Sequence, residues 1–481
     1  MKLLKTIRKK RLDLLGLILI AVWGGGTLVS STRAQSATDA SLNSVRMSDR
    51  ADRASKMPAQ ISAAEHMRRA AIYQANRAFA SAREHWQAVV DNYPDDPNMP
   101  GALFGIARTY YQERRYEEAR QMYERVAGGY PETKEGREGS NFAASSLLRM
   151  GHGDEAAARY IVYLNKYPNG ERIDTAHLNI IDGYRESGHP QDAIVWIDRT
   201  RQRFAGTATE ISATFARLRL DIALGDWSHA VQTADELTQR AIPKEANTSA
   251  DEVLYLKAHA LERSGRTQDA IRFFSMIPDS VDSYYGGLAT NRLAAMNDSS
   301  AQQRATERSA AVRAATERSA GAYPAPFRFQ VLSESKKRAL DPRLVLAIMK
   351  QESQFKPNAK SPSAARGLLQ LTIDAAQRYA ARAGLKQVSD ESLYQPAINI
   401  AVGTEYIAQL SRMFAGLAEA IAASYNGGED NVARWLGRTN QRDAGVFAAE
   451  VGFGESKNYV FKVMSYYRAY RQLYDANLNR R

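Results

Sequence analysis

The sequence predicts a mainly α protein in two parts, an N-terminal α-solenoid followed by a compact, mostly helical C-terminal domain. Three observations carry this reading. Aromatic and alanine markers recur with a period of 37 between about residues 60 and 296. A polar, self-repeating stretch at 297–322 interrupts them. Beyond it lies a helical run that is apolar on nearly every face, as a central buried helix is. At roughly 100–200 residues per domain, 481 residues suit two to four domains.

The N-terminus reads as an export segment over 1–34. Lys2, Lys5, Arg8, Lys9, Lys10 and Arg11 precede an apolar run from Leu14 to Val29 that is loosened by Gly16, Gly24, Gly25 and Gly26. That run falls short of the roughly 20 residues of a spanning helix. Thr32-Arg33-Ala34 offers a cleavage site before Gln35; an uncleaved segment would associate the protein with the membrane. In both cases the remaining domains are exported.

Composition narrows the chemistry. The absence of cysteine excludes disulfides, thiolate zinc sites, iron–sulfur clusters and a cysteine nucleophile. All seven histidines lie at or before His259, so beyond it neither Ser-His-Asp hydrolysis nor a histidine-ligated metal is available. Carboxylates are left as the leading acid/base groups there, and no metal or cofactor is expected. The net charge of +12 drops to about +6 without the N-terminal segment, a modest excess suited to an anionic polymer. Export, and the lack of an aromatic-interleaved basic stripe, argue against nucleic acid.

In the solenoid (60–296), Tyr93-Pro94, Tyr130-Pro131 and Tyr167-Pro168 are spaced by 37, with Phe204 at the next interval; Ala119, Ala156, Ala193 and Ala230 keep the same period. Turn signals such as Gly151-His152-Gly153, Gly188-His189-Pro190 and Gly225-Asp226 precede the alanine-bearing helices. Tyr-Pro closes the second helix of each pair, because the residue before proline avoids the α region. The small alanine lets paired helices approach. These units resemble tetratricopeptide repeats, and such solenoids commonly hold partners or substrate. Residues 297–322, where Ala305-Thr306-Glu307-Arg308-Ser309-Ala310 recurs as Ala315 to Ala320, are expected to bury little and to form a linker or a solvated helix.

The C-terminal domain (323–481) opens at Tyr323-Pro324-Ala325-Pro326. Asp341-Pro342 is a helix start, the Asp capping and the Pro in first position. Leu344 to Met349 form the apolar run, and Pro357 blocks its continuation. Glu352 therefore stands at the end of a buried helix, where desolvation raises a carboxyl pKa towards that of a general acid.

The segments around Glu352 form a spaced set: Glu352-Ser353-Gln354-Phe355-Lys356-Pro357, Arg366-Gly367-Leu368-Leu369-Gln370, Asn399-Ile400-Ala401-Val402-Gly403-Thr404-Glu405-Tyr406, Ala423-Ser424-Tyr425-Asn426-Gly427-Gly428 and Glu455-Ser456-Lys457-Asn458-Tyr459. In order and spacing these resemble the soluble lytic transglycosylase family, whose catalytic domain has a lysozyme-like fold. The repeats and Tyr284-Tyr285-Gly286-Gly287-Leu288-Ala289 look like that family's superhelical and connecting parts. The resemblance implies a periplasmic enzyme that cleaves the β-1,4 bond between N-acetylmuramic acid and N-acetylglucosamine in peptidoglycan and leaves a 1,6-anhydro end. It further implies Glu352 as the single acid/base and Ser361 near the N-acetyl group. Gln370 would line the groove, with the Tyr425 hydroxyl close to the acid. Asn426 shapes the site or a turn; Glu455 contacts sugar or forms a salt bridge; Tyr459 is groove wall or core. The sequence departs from the family with Leu369 for a Met, Ala364-Ala365 for Gly-Ala, Gly452 for a Pro and Lys457 for an Arg. Two other readings stay open: a goose-type-lysozyme-like muramidase that uses water, and a non-catalytic wall-binding scaffold. Peptidoglycan strands are the expected partner, with cell-wall-synthesis proteins recruited through the solenoid.

Overall fold

The computed structural model describes residues 31–55, 61–439 and 443–481. Most of the export segment lies outside the described residues. Among those described, no helix is long and apolar enough to cross a membrane.

The arm begins with α1 (Ser31–Ala54), whose Leu42 and Val45 are buried against the first hairpin. Six hairpins follow: α2 (Ala63–Ala75) with α3 (Phe79–Asn92), α4 (Met99–Gln112) with α5 (Tyr116–Gly129), and α6 (Lys134–Arg149) with α7 (Gly153–Lys166). Then come α8 (Ile173–Glu186) with α9 (Pro190–Arg203), α10 (Ala208–Leu224) with α11 (Trp227–Thr238), and α12 (Ala250–Arg263) with α13 (Thr267–Met276). The repeat markers do the work their period implies. Ala119, Ala156, Ala193 and Ala230 are fully buried between helices, and Ala82 holds the same place one repeat earlier. Tyr93, Tyr130, Tyr167 and Phe204 stand where α3, α5, α7 and α9 stop.

Two connecting helices, α14 (Tyr284–Ala295) and α15 (Ser299–Arg318), lead to the C-terminal domain. The stretch expected to be a linker or solvated helix is α15, and one of its faces is buried: Ala301, Ala305, Val312 and Thr316 are inaccessible. The expectation of little burial overlooked that small residues at helical spacing let a polar helix dock closely. Thr316 also donates to Gln472 Oε1 at 2.7 Å.

The C-terminal domain contains α16 (Arg328–Lys337), α17 (Pro342–Ser353), α18 (Ile373–Ala380), α19 (Pro396–Met413) and α20 (Ala418–Gly427). It ends with α21 (Glu429–Gly437), α22 (Ala444–Glu450) and the long α23 (Gly454–Leu473). α17 lies at the centre, packed along α23, which also touches α14, α15 and α20.

The arm folds back onto this domain through buried ion pairs. Arg185 of α8 and Arg219 of α10 both reach Glu450 of α22, at 2.6 and 3.1 Å. Burial alone would push the Glu450 carboxyl up; the two guanidiniums hold it below its ordinary value. Glu186 takes Arg434 and Arg438 of the α21 region, and Lys457 of α23 donates to Glu252 at 3.0 Å and to the Asn247 carbonyl at 2.8 Å. Tyr255 bonds Asp443. What the arm grips is the C-terminal domain of its own chain.

Candidate active site

α17 places the acid. Asp341 accepts from the Arg343 N–H at 2.9 Å, Pro342 takes the first helical position, and Leu344 to Met349 are buried. The helix stops before Pro357 is reached, because Gln354 and Phe355 turn left-handed (φ 50° and 63°) and Ser353 Oγ donates to the Leu368 carbonyl at 2.7 Å. Glu352 thus sits half-buried in the last turn. Burial raises its carboxyl pKa from 4.5 to about 7 against the pull of a hydrogen bond from Tyr459, and the negative charge of Glu455 adds to the rise.

The hydroxyl against the acid differs from the one the motifs suggest. Tyr459 donates to Glu352 Oε1 at 2.6 Å, because α23 runs along α17 and turns this side chain inward. Tyr459 is therefore the acid's direct partner rather than only wall or core. Tyr425 donates instead to the Leu369 carbonyl at 2.7 Å. It remains close enough that its own pKa is raised, by burial first and then by the Glu352 charge.

The intervening loop is held from within. Asn399, fully buried on α19, accepts from the Leu369 N–H at 2.8 Å and donates to the Arg366 and Leu393 carbonyls at 2.9 and 2.8 Å. Gly367 (φ 79°) passes so close that a Cβ there would lie 2.2 Å from the Asn399 amide and the Leu393 carbonyl. Leu369, in the Met position, packs on Gly403, where a Cβ would come within 2.4 Å of it. A buried asparagine in an otherwise apolar run (Ala397 to Val402) was the available sign of this brace.

The other candidates divide. Gln370, Tyr425 and Asn426 line one cavity of about 220 Å³. Gln370 is itself left-handed (φ 44°), and its Nε2 donates to the Gly367 and Ala359 carbonyls at 2.7 and 3.1 Å. Asn426 is exposed and accepts from Ser456 Oγ at 2.6 Å, which ties its turn to α23. Glu455 is exposed in the first turn of α23, on the Glu352 side. Ser361 stands apart from that cavity: its Oγ accepts from the Ala365 N–H at 3.0 Å and closes its own loop. Sequence reasoning did not anticipate that Arg77 and Arg114 of the arm line the same cavity. Among the described residues, no cluster of three or more His, Asp or Glu side chains is placed to hold a metal ion.

This arrangement suits proton transfer: a carboxyl raised to about 7 and oriented by a phenol at the end of a helix. Glu352, like Ser361, is outside the lining of the cavity, and Tyr425 is the lining residue close to it. Residues 330–447 match the transglycosylase SLT domain, and 101–133 match a tetratricopeptide repeat. A putative soluble lytic murein transglycosylase of Haemophilus influenzae is 35% identical over 122 residues, covering 25% of this chain and 21% of that protein. The soluble lytic murein transglycosylase of Escherichia coli is 34% identical over 128 residues, covering 26% and 20%. The membrane-bound lytic murein transglycosylase C of Salmonella arizonae is 32% identical over 163 residues, covering 30% and 45%. The matches thus span about a fifth of the two soluble relatives. Among solved structures, an inactive mutant of the lytic transglycosylase Slt from Pseudomonas aeruginosa has a TM-score of 0.49 at 17% identity, covering 85% of this chain and 78% of that one.

Proposed function

We propose, taking as premise that this chain belongs to the SLT-domain transglycosylase family with a tetratricopeptide-like helical N-terminal part, that it is a lytic transglycosylase of peptidoglycan. The observation that carries the proposal is the Glu352 carboxyl, raised to about 7 and held by Tyr459. Tyr459 occupies Oε1, so the acid proton resides on Oε2. From there it passes to the glycosidic oxygen as the bond from that oxygen to C1 breaks. The carboxylate then takes the proton of the muramyl C6 hydroxyl, whose oxygen closes on C1 as the 1,6-anhydro ring. One residue serves both steps, and because the nucleophile is intramolecular no water is consumed. A hydrolase of the usual two-carboxylate kind would need a second carboxylate about 5–9.5 Å away, a part that Glu455, whose charge acts on Glu352, would have to play.

Gln370 uses its amide nitrogen on the backbone, which leaves Oε1 for a sugar; Tyr425 and Asn426 continue the wall, and Glu455 contacts glycan at its exposed edge. Ser361 keeps a hydroxyl hydrogen to offer an N-acetyl carbonyl. Residues 60–296 and 323–481 act as arm and catalytic domain. The site of action is the cell envelope, in the periplasm, reached through the N-terminal export segment, cleaved or retained as an anchor. A cell-wall-synthesis protein recruited by the arm would use the surface that faces away from the catalytic domain.

Digestion of purified peptidoglycan with mass spectrometry of the released muropeptides tests this. Anhydro ends that disappear in Glu352→Gln are expected. Reducing ends would convert the assignment to a muramidase, and no products at all would leave a scaffold.

A further inference from the structure

Each hairpin of the arm turns through a left-handed residue, the middle one of three in five hairpins and the first of two between α10 and α11. At Gly151, Gly188, Gly225 and Gly265 it is glycine, with φ between 73° and 83°. The first two hairpins have Arg77 (φ 60°) and Arg114 (φ 64°) in that place, 37 residues apart and in register with Gly151. A side chain in this region is strained, and such strain persists where surrounding contacts over-determine it. Both arginines have such contacts. Arg77 meets Asp374 of α18 with two bonds of 2.8 Å. Arg114 pairs with Glu429 of α21 and lies over Gly428, where a Cβ would come within 2.9 Å of its guanidinium.

With Gln112 and Glu113, the two arginines line the cavity from the arm, and Gln370, Tyr379, Tyr425 and Asn426 line it from the other side. Each guanidinium is matched by a carboxylate. The wall therefore offers paired donors and acceptors beside aromatic rings rather than a net charge. That suits the hydroxyls and acetamide of a neutral N-acetylhexosamine better than a peptide carboxylate.

We infer that Arg77 and Arg114 make the arm part of the substrate groove, building with Gln370, Tyr425 and Asn426 a saccharide subsite that neither half of the chain has alone. The inference rests on the lytic reading above.

The test uses the full chain in a Glu352→Gln background and calorimetric titration with chitooligosaccharides of increasing length. Arg77→Gly and Arg114→Gly are the informative variants, because glycine is the residue this turn carries in the other hairpins, so the turn is kept or relaxed. In the parent, affinity should climb with chain length. The paired arginine-to-glycine variant should lose about tenfold for the longest oligomers, with the loss shrinking as the ligand shortens, while its circular dichroism at the titration temperature should match the parent's. Asn76→Ala removes a docking contact at the same hairpin, the 3.0 Å bond from Lys360, but does not line the cavity; its length dependence should match the parent's. An unchanged ladder in the arginine variant overturns the subsite, as does an equal flattening in Asn76→Ala, which would reduce the arginines to docking contacts. If the parent binds no oligomer, the lytic reading itself falls, and the subsite with it.

Discussion

Replacing Glu352 with Gln tests the burial of the acid separately from its chemistry. In the folded chain its carboxyl titrates at about 7 rather than 4.5. At about 1.4 kcal/mol per pH unit the full difference is about 3 kcal/mol, and partial exposure brings it to ~2–3 kcal/mol. The sign follows from linkage. A raised folded pKa means that the native state holds the proton more tightly, so stability is intact below pH 4.5 and is lost as pH rises through 7. Gln keeps the shape and can still accept from Tyr459, yet it never ionises. Glu352→Gln and the parent should therefore melt together near pH 4 and separate between pH 5 and 8, with the variant more stable. On a domain of this size, where 1 kcal/mol moves the midpoint by about 2–4 °C, the gap above pH 8 should be several degrees. Thermal scans across a buffer series measure it. A gap that does not vary with pH, or a variant that melts lower at pH 8, would refute the buried-acid reasoning. Muropeptide release should fall about 10²–10⁴-fold or more, the usual contribution of a general acid.

Other expectations follow from the same geometry. With Glu352 as the proposed acid, kcat/KM should fall as pH rises through about 7; Tyr459→Phe removes the bond that lowers the Glu352 pKa and should move that limb up by about one pH unit, read from the pH–rate profile. Gly367→Ala places a Cβ against Asn399 and Leu393 in a left-handed turn and should destabilise by about 2–4 kcal/mol, seen in denaturant melts with activity falling in parallel. Arg185→Ala removes one of the two guanidiniums that pair with buried Glu450 and should cost about 3–5 kcal/mol, whereas replacing the whole triad, Arg185→Met and Arg219→Met with Glu450→Leu, should cost far less; melting and limited proteolysis of the arm separate the two.

The features legible in the sequence were those set by local spacing. The 37-residue alanine register, the tyrosine stops and the Asp341-Pro342 start are written in neighbouring residues, and all stand where that spacing puts them. Glu352 was legible from the order and spacing of the motifs around it; the apolar helix before it suggested only that its end is desolvated. Which phenol meets it was not: Tyr459 is 107 residues away, and its direction depends on how α23 lies along α17. The grip of the arm was hidden for the same reason. Arg185 and Glu450 are separated by 265 residues, and each alone reads as a surface charge. In α15 the composition misled, since alanines four residues apart bury little area each and still close an interface.

The departure at Lys457 gains a physical meaning from its neighbours on α23. Lys457 and Tyr459 lie two residues apart, so on a helix they point to different sides. One donates to Glu252 and the Asn247 carbonyl of the arm, the other to the Glu352 carboxyl. About three turns beyond Lys457, Arg468 binds Asp279 at 2.6 Å beside the connecting helices. The helix that orients the acid is thus pinned by the arm on its opposite face, and a buried ammonium is a demanding pin. Desolvation lowers the Lys457 pKa despite the opposing pull of Glu252, so the contact holds only while the carboxylate stays in register. An arginine here would carry a longer fork into a space already bounded by Phe215, with the Lys457 ammonium 4.9 Å from its ring. The lysine is the choice that fits the arm this chain has, which makes the arm's seating and the aim of Tyr459 parts of one constraint.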